Sequence, residues 1–210
     1  QRSFDVETRF GGGFVQSING REGTTASGSD VDWFYFVNGI QAPKGADDTE
    51  VTPNDQIWWD RRNSEAAPNV TGVVGAFPEP FRSGLDGKRF PVRLDCTSEG
   101  QQQCKQISNA LGKYSVAPAY SSVGAEPGKE TLRIVIGTWQ EVAGDDAVRL
   151  LINGPQRSGV YAKPADEGKS TELLGVDGKL VKKVGAGSGL IAVTRSEGAG
   201  QQTPTWVVTG

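Results

Sequence analysis

Histidine is absent from all 210 residues. That removes the usual general base near neutral pH and the commonest metal ligand. Neither a Ser-His-Asp triad nor a His-based zinc site can be built, so an enzyme is the least expected class. Methionine is absent too, which points to a chain that starts after a processing cut. No apolar run is long enough to span a bilayer, and no signal peptide remains, as in a mature secreted chain. The formal net charge is −3 with no long basic run, so charge gives no footprint for nucleic acid or an anionic membrane.

Cysteine is nearly absent: only Cys96 and Cys104 occur. Their spacing suits a small disulfide-closed loop over the polar stretch Thr97-Ser98-Glu99-Gly100-Gln101-Gln102-Gln103, and such a bond favours an oxidising compartment. A loop this short stabilises by about 2–3 kcal/mol in the chain-entropy treatment. Two separate reduced thiols are the alternative. A zinc site would need two further soft or imidazole ligands that the chain lacks.

What is present is turn-forming. The 29 Gly and 11 Pro imply many short elements. Phe4, Val6 and Thr8 alternate with charged residues, the pattern of a half-buried strand. Gly11-Gly12-Gly13 breaks it, and a short apolar cluster (Phe14, Val15, Ile18) runs to the turn Asn19-Gly20. Residues 21–30 are small and polar and read as a loop. Asp32 to Val37 is the densest strand signal, and Asn38-Gly39 predicts a type I′ hairpin turn. Ile40 to Ala42 returns, and Gln56 to Asp60 adds another strand.

Residues 61–91 carry Pro68, Pro78, Pro80 and Pro91 around the apolar piece Val70 to Phe77, and read as a linker packing on both sides. Beyond it, Phe90 to Leu94 and Thr131 to Trp139 read as strands. Gln103 to Tyr114 carries Ile107, Ala110 and Leu111 at helical spacing. A second helix opens at Asp145-Asp146, where the macrodipole favours acid, and ends at Asn153-Gly154-Pro155. Short strands follow at 160–163, 171–176, 180–184, 190–195 and 205–209, with Asp177-Gly178 as a hairpin turn. The expected class is α+β: a small antiparallel domain over residues 1–77, then a mixed α/β domain over residues 78–210.

From Phe10 to Asp60 the chain resembles a known family. Phe10-Gly11-Gly12-Gly13-Phe14-Val15-Gln16-Ser17-Ile18-Asn19-Gly20, then Asp32-Trp33-Phe34-Tyr35-Phe36-Val37-Asn38-Gly39, Lys44-Gly45-Ala46 and Asn54-Asp55-Gln56-Ile57-Trp58-Trp59 are similar to the transcobalamin-like C-terminal domain. That family is also a domain of unknown function in many bacterial surface proteins. The resemblance implies a β-grasp-like fold, an extracellular or cell-surface location and, with cobalamin as the named ligand, cover for one face of a corrin ring. Asn54-Asp55 stands where the family has Gly-Asp. The family's opening strand and helix have no counterpart before Phe4; a strand from a neighbouring molecule is one way to supply the missing partner. Later stretches, among them Pro91-Val92-Arg93-Leu94 and Pro204-Thr205-Trp206-Val207, are similar to a segment that follows this domain in actinobacterial extracellular proteins.

The candidate ligand or interface residues are Trp33, Tyr35, Asn38, Trp58 and Trp59. Alternate strand residues face opposite sides, so one face of aromatics is hard to bury in so small a domain. Either the rest of the chain covers it, or it is a platform for a flat ligand or a protein contact. The partners this implies are a small molecule, cobalamin among them, or further copies of the chain in a surface assembly. Asp30, Asp32, Asp47, Asp48, Asp55 and Asp60 form no calcium loop and read as turn and cap residues. Gly185 to Gly189 lacks the Lys-Ser/Thr and the helix of a phosphate loop, and reads as a plain loop.

Overall fold

The computed structural model describes residues 4–26, 29–66, 68–126, 128–185, 187–198 and 201–210. Ala186, in the Gly-rich loop, lies outside them, as do residues 27–28 of the expected 21–30 loop.

Three strands, β1 (Val6–Arg9), β2 (Phe14–Ile18) and β3 (Arg21–Glu22), form one antiparallel sheet. The triple glycine bends the chain between β1 and β2, with Gly11 at φ 77°. The alternation in β1 does not bury a face: Val6 to Arg9 are all exposed, as is Phe4. The strand is the sheet's edge and pairs with β2 alone, and no described element lies against either of its faces closely enough to bury it. Residues 21–30 are likewise not a plain loop. They carry β3, β4 (Thr24–Ala26) and the first residues of β5 (Ser29–Val37).

The second sheet is built around β5, which pairs antiparallel with β4, with β6 (Ile40–Gln41) and, over seven residues, with β7 (Ile57–Asn63). Asn38 and Gly39 join β5 to β6 with φ of 56° and 81°, the two left-handed residues that a type I′ turn requires.

The third sheet is mixed. From β8 (Val92–Cys96) the chain passes through α1 (Gln101–Gly112) to β9 (Ala119–Ser122), which pairs parallel with β8. Next, β10 (Leu132–Gly137) lies parallel to β8 on its other side. The chain then forms three short helices, α2 (Trp139–Val142), α3 (Asp146–Ile152) and α4 (Pro155–Ser158). A small antiparallel sheet follows, of β11 (Ala162–Ala165), β12 (Ser170–Leu174) and β13 (Leu180–Val184). The hairpin β14 (Leu190–Gly198) and β15 (Gln201–Thr209) returns to the mixed sheet, with β15 parallel to β10, giving the order β14-β15-β10-β8-β9. The class is α+β, as the sequence predicts.

Central β10 is covered on both faces, and its residues are apolar apart from the buried Arg133. Leu132, Ile134 and Ile136 pack with Cys104 and Leu111 of α1, together with Ile40, Phe81, Val193 and Trp206. Val135 on the other face meets Val142, Val148 and Leu151 of the short helices. Cys96 and Cys104 are disulfide-bonded, Cα atoms 6.3 Å apart, tying the end of β8 to the first turn of α1. The strand expected to run to Trp139 stops at Gly137. Thr138 caps α2 in a reciprocal box with Glu141, a Thr-x-x-Glu pattern present in the sequence, and Trp139 is buried.

Between β11 and β12 three successive residues are left-handed: Asp166 at φ 50°, Glu167 at 58° and Gly168 at 87°. Asp166 is held by Lys183 and Ser170, and the Glu167 carbonyl accepts from Gln140. Left-handed backbone costs a side-chain-bearing residue about 1–2 kcal/mol. Glu167 is exposed, so Glu167→Gly is expected to stabilise by about 0.5–1 kcal/mol after the entropy cost of glycine. Thermal unfolding checks this; an unchanged or lowered midpoint contradicts it. Gly168→Ala moves the other way, because its Cβ would lie 2.7 Å from the Trp139 Cβ.

Candidate functional site

Pairing of β5 with β7 sets the two faces of the aromatic sheet. Tyr35 lies opposite Trp59 and Trp33 opposite Arg61; Phe36 lies opposite Trp58 and Phe34 opposite Asp60. Residues directly opposite share a face, so Trp33, Tyr35 and Trp59 are together and Trp58 is on the reverse side.

On the first face the Tyr35 and Trp59 rings lie 4.9 Å apart, tilted by 30°. The Tyr35 hydroxyl bonds Thr49 Oγ1 at 2.6 Å and donates toward the carbonyls of Lys44 and Gly45 at 2.9 Å. Trp33 Nε1 donates to the Arg21 carbonyl at 2.8 Å, and Arg61 Nε to that of Glu22 at 2.8 Å. Segments 21–22 and 43–49 thus cover part of this face, and its rings are half-buried.

On the reverse face Phe36 is fully buried and the Arg62 guanidinium lies 3.9 Å from the Phe34 ring centroid. Arg62 also donates to Asp60 and Gln41. Trp58, at 62% exposure, is the most open tryptophan among the described residues.

Asn38 is 1% exposed. Its side-chain amide donates to Asp55 Oδ1 at 2.7 Å and to the Gly84 carbonyl at 2.9 Å, and its Oδ1 accepts from Gln56 N–H at 3.0 Å. Both amide hydrogens are therefore engaged within the protein, binding the hairpin turn to two distant stretches. Asp55 also closes its own turn by accepting from Thr52 N–H and hydroxyl. Among the described residues, no three His, Cys, Asp or Glu side chains converge as a metal site.

A concavity lies elsewhere, between β6 and the mixed sheet. It has a volume of about 660 Å³. One wall is Ile40 to Pro43 with Pro68 to Thr71; the other is Glu130, Leu132, Arg195 and Pro204; Leu85 and Phe90 complete the lining. Pro68, Val70, Leu85 and Phe90 of the 61–91 stretch, read from sequence as packing on both sides, supply part of its lining. The lining comes from seven separate places along the chain, so no local motif marks it.

Two polar features stand out there. Arg195 is 8% exposed. At the rim, Lys88 bonds Glu130 at 2.6 Å, with Lys88 Nζ 5.6 Å from the Phe90 ring centroid.

A second crevice, of about 390 Å³, opens at the carboxyl ends of β10 and β15 beside the start of α1. The Glu141 carboxylate already accepts there from the Thr97 and Ser98 hydroxyls, the Thr138 hydroxyl and the N–H groups of Glu99 and Thr138. The Thr97 hydrogen bond, with help from those backbone groups, holds Glu141 below the ordinary glutamate pKa. The protein's own carboxylate thus engages these donors.

Residues 1–63 match the family described as a domain of unknown function, DUF4430. The match ends at the last residue of β7 and so takes in the aromatic sheet and β6, but not the opposite wall of the cleft. No curated protein and no solved structure matches the chain.

Proposed function

We propose that this chain is a binding protein of the cell exterior, without catalytic activity, that holds a small ligand in the cleft between β6 and the mixed sheet. The observation that carries the reading is the cleft itself. Its volume of about 660 Å³ falls in the range of small-molecule sites, about 300–1,000 Å³, which are concave, mostly apolar and placed where domains meet. The Cys96–Cys104 disulfide supports an oxidising compartment. No helix among the described residues is long and apolar enough to cross a membrane.

The resemblance to transcobalamin-like domains makes cobalamin the first named candidate. A corrin is broad and flat, and the Tyr35–Trp59 face is the surface on which it would stack. The cleft favours a narrower molecule. A second reading, self-association, rests on β1, an edge strand exposed along its whole length with Phe4 and Phe10 beside it; such edges accept a further strand.

N-phenyl-1-naphthylamine, a neutral probe that fluoresces in apolar sites, tests the cleft. It is expected to bind, and Ala42→Phe, which fills the space beside Ile40, is expected to weaken it at least about tenfold, or 1.4 kcal/mol. Undiminished binding to the variant would refute the cleft reading. Quenching of the five tryptophans by cobalamin and cobinamide, with particle size followed by light scattering, separates the alternatives. Saturable quenching of a monomer supports the corrinoid, and large particles without quenching support assembly.

A further inference from the structure

We infer that the ligand of the cleft is an anionic amphiphile: an apolar body carrying one carboxylate or sulfonate, with that group received by Arg195. The inference rests on the cleft being the binding site and adds the chemical class of its occupant.

The cleft is bounded by aliphatic and proline side chains at Ile40, Pro43, Leu85 and Leu132, and by Phe90. These offer area to an apolar body and little to a polar one. Into this wall the fold brings Arg195, on β14 opposite Pro204 of β15, in a position 8% exposed. A guanidinium has five N–H donors in a planar fork, enough to serve acceptors within the protein and still receive a ligand oxygen. That fork matches carboxylate and similar oxyanions two bonds at a time.

The rim points the same way. Lys88 lies beside Phe90, its ammonium bonded to Glu130. Both side chains are about half exposed, so the pair opens at little cost, and an incoming anion can replace Glu130 as the partner of Lys88. The lining itself holds Arg195 and the Glu130 carboxylate, and Lys88 holds that carboxylate from beside Phe90. A neutral ligand would take the apolar contacts but make no charge-assisted bond.

Two probes with one ring skeleton isolate the charge: N-phenyl-1-naphthylamine, which is neutral, and 8-anilinonaphthalene-1-sulfonate, which adds a sulfonate. The wild-type chain is expected to bind the sulfonate at least about tenfold tighter, the scale of a charge-assisted bond in a partly dry site. Arg195→Met is expected to remove that preference and leave the neutral probe within about twofold, and Arg195→Lys to keep part of it. Because Arg195 is buried, Glu130→Gln provides an independent reading at an exposed position. Removing the rim carboxylate is expected to tighten the sulfonate about threefold without moving the neutral probe, and added salt to erode the difference. Equal affinities for the two probes in the wild type, with Ala42→Phe still blocking both, would overturn the anionic inference and leave the cleft reading intact. Binding of neither probe, or binding indifferent to Ala42→Phe, would remove both.

Discussion

Arg133→Met is expected to destabilise the chain by about 3–5 kcal/mol, the cost of leaving a buried carboxylate without its counter-ion. Arg133 is 1% exposed in the middle of β10, on the face toward α3. Its Nε donates to Asp95 at 2.8 Å and its Nη2 to Asp145 at 2.7 Å. Burial works against the guanidinium charge, but Asp145 and Asp95 more than offset it, so Arg133 titrates above its ordinary value. The two acids do not depend on it equally. Asp95 keeps a second partner, since Arg93 on the same strand grips it through Nε at 2.6 Å and Nη2 at 2.8 Å. Besides Arg133, the Asp145 carboxylate accepts the capping bond from Ala147 N–H. The loss therefore falls mainly on Asp145. Arg133→Met combined with Asp145→Ser, which removes the stranded charge and keeps a cap, is expected to be more stable than Arg133→Met alone. Urea midpoints for the two single variants and the double give the coupling directly. A single variant within about 1 kcal/mol of wild type would show that the network is not structural.

That network illustrates what a sequence can and cannot show. Asp95 and Asp145 are fifty residues apart, and Arg133 sits in a run, Leu132 to Ile136, that reads as an ordinary buried strand with one charge in it. Only the sheet order, with β8 beside β10 and α3 across one face, brings the three together. Elements set by local chemistry were legible. Asn38-Gly39 fixes its turn because two left-handed residues are needed in succession. The aromatic alternation of β5 separates Tyr35 from Phe36 whatever surrounds them. The eight-residue spacing of Cys96 and Cys104 fits a strand end followed by a first helical turn. What failed depended on neighbours. Phe4, Val6 and Thr8 alternate as a half-buried strand does, yet burial needs a covering element and none of the described residues provides one. At Trp139 the apolar run continues past the point where the Thr138–Glu141 box turns the chain into a helix, and the capping pattern outweighs the run.

The candidate site divides in the same way. Alternation within β5 was legible, but only its register with β7 brings Trp59 onto the face of Trp33 and Tyr35, whereas Trp58 opposes Phe36 and faces away from them. Asn38 was visible as a turn residue, but its role in holding Asp55, Gln56 and Gly84 is tertiary. The cleft had one trace in the sequence, the apolar, proline-rich stretch between residues 61 and 91. Its far wall, Leu132, Arg195 and Pro204, belongs to strands that no local pattern links to that stretch.

The joint behind the cleft carries the last prediction. Gly72 forms an isolated bridge with Ile40, and a Cβ on it would lie 2.4 Å from the Gly39 carbonyl oxygen and 2.8 Å from Val193 Cγ1. Neither neighbour can give way. The Gly39 carbonyl accepts from Val73 N–H at 2.8 Å, and Val193 is 3% exposed in the core that also contains Ile40, Phe81 and Trp206. Gly72→Val must therefore force the hairpin of β5 and β6 away from β14, at a cost of about 3 kcal/mol, the upper end for overpacking a closed core. Because Ile40 shares that core with the mixed sheet, the wild-type chain is expected to unfold in one transition. The variant is expected to show two, with the aromatic sheet melting first. Ile40 and Thr71 also line the cleft, so the same substitution should abolish binding of the naphthylamine probe while the Cys96–Cys104 half remains folded. A single transition at the wild-type midpoint, with the probe still bound, would mean that the two sheets do not depend on this contact and that the cleft is not held open by it.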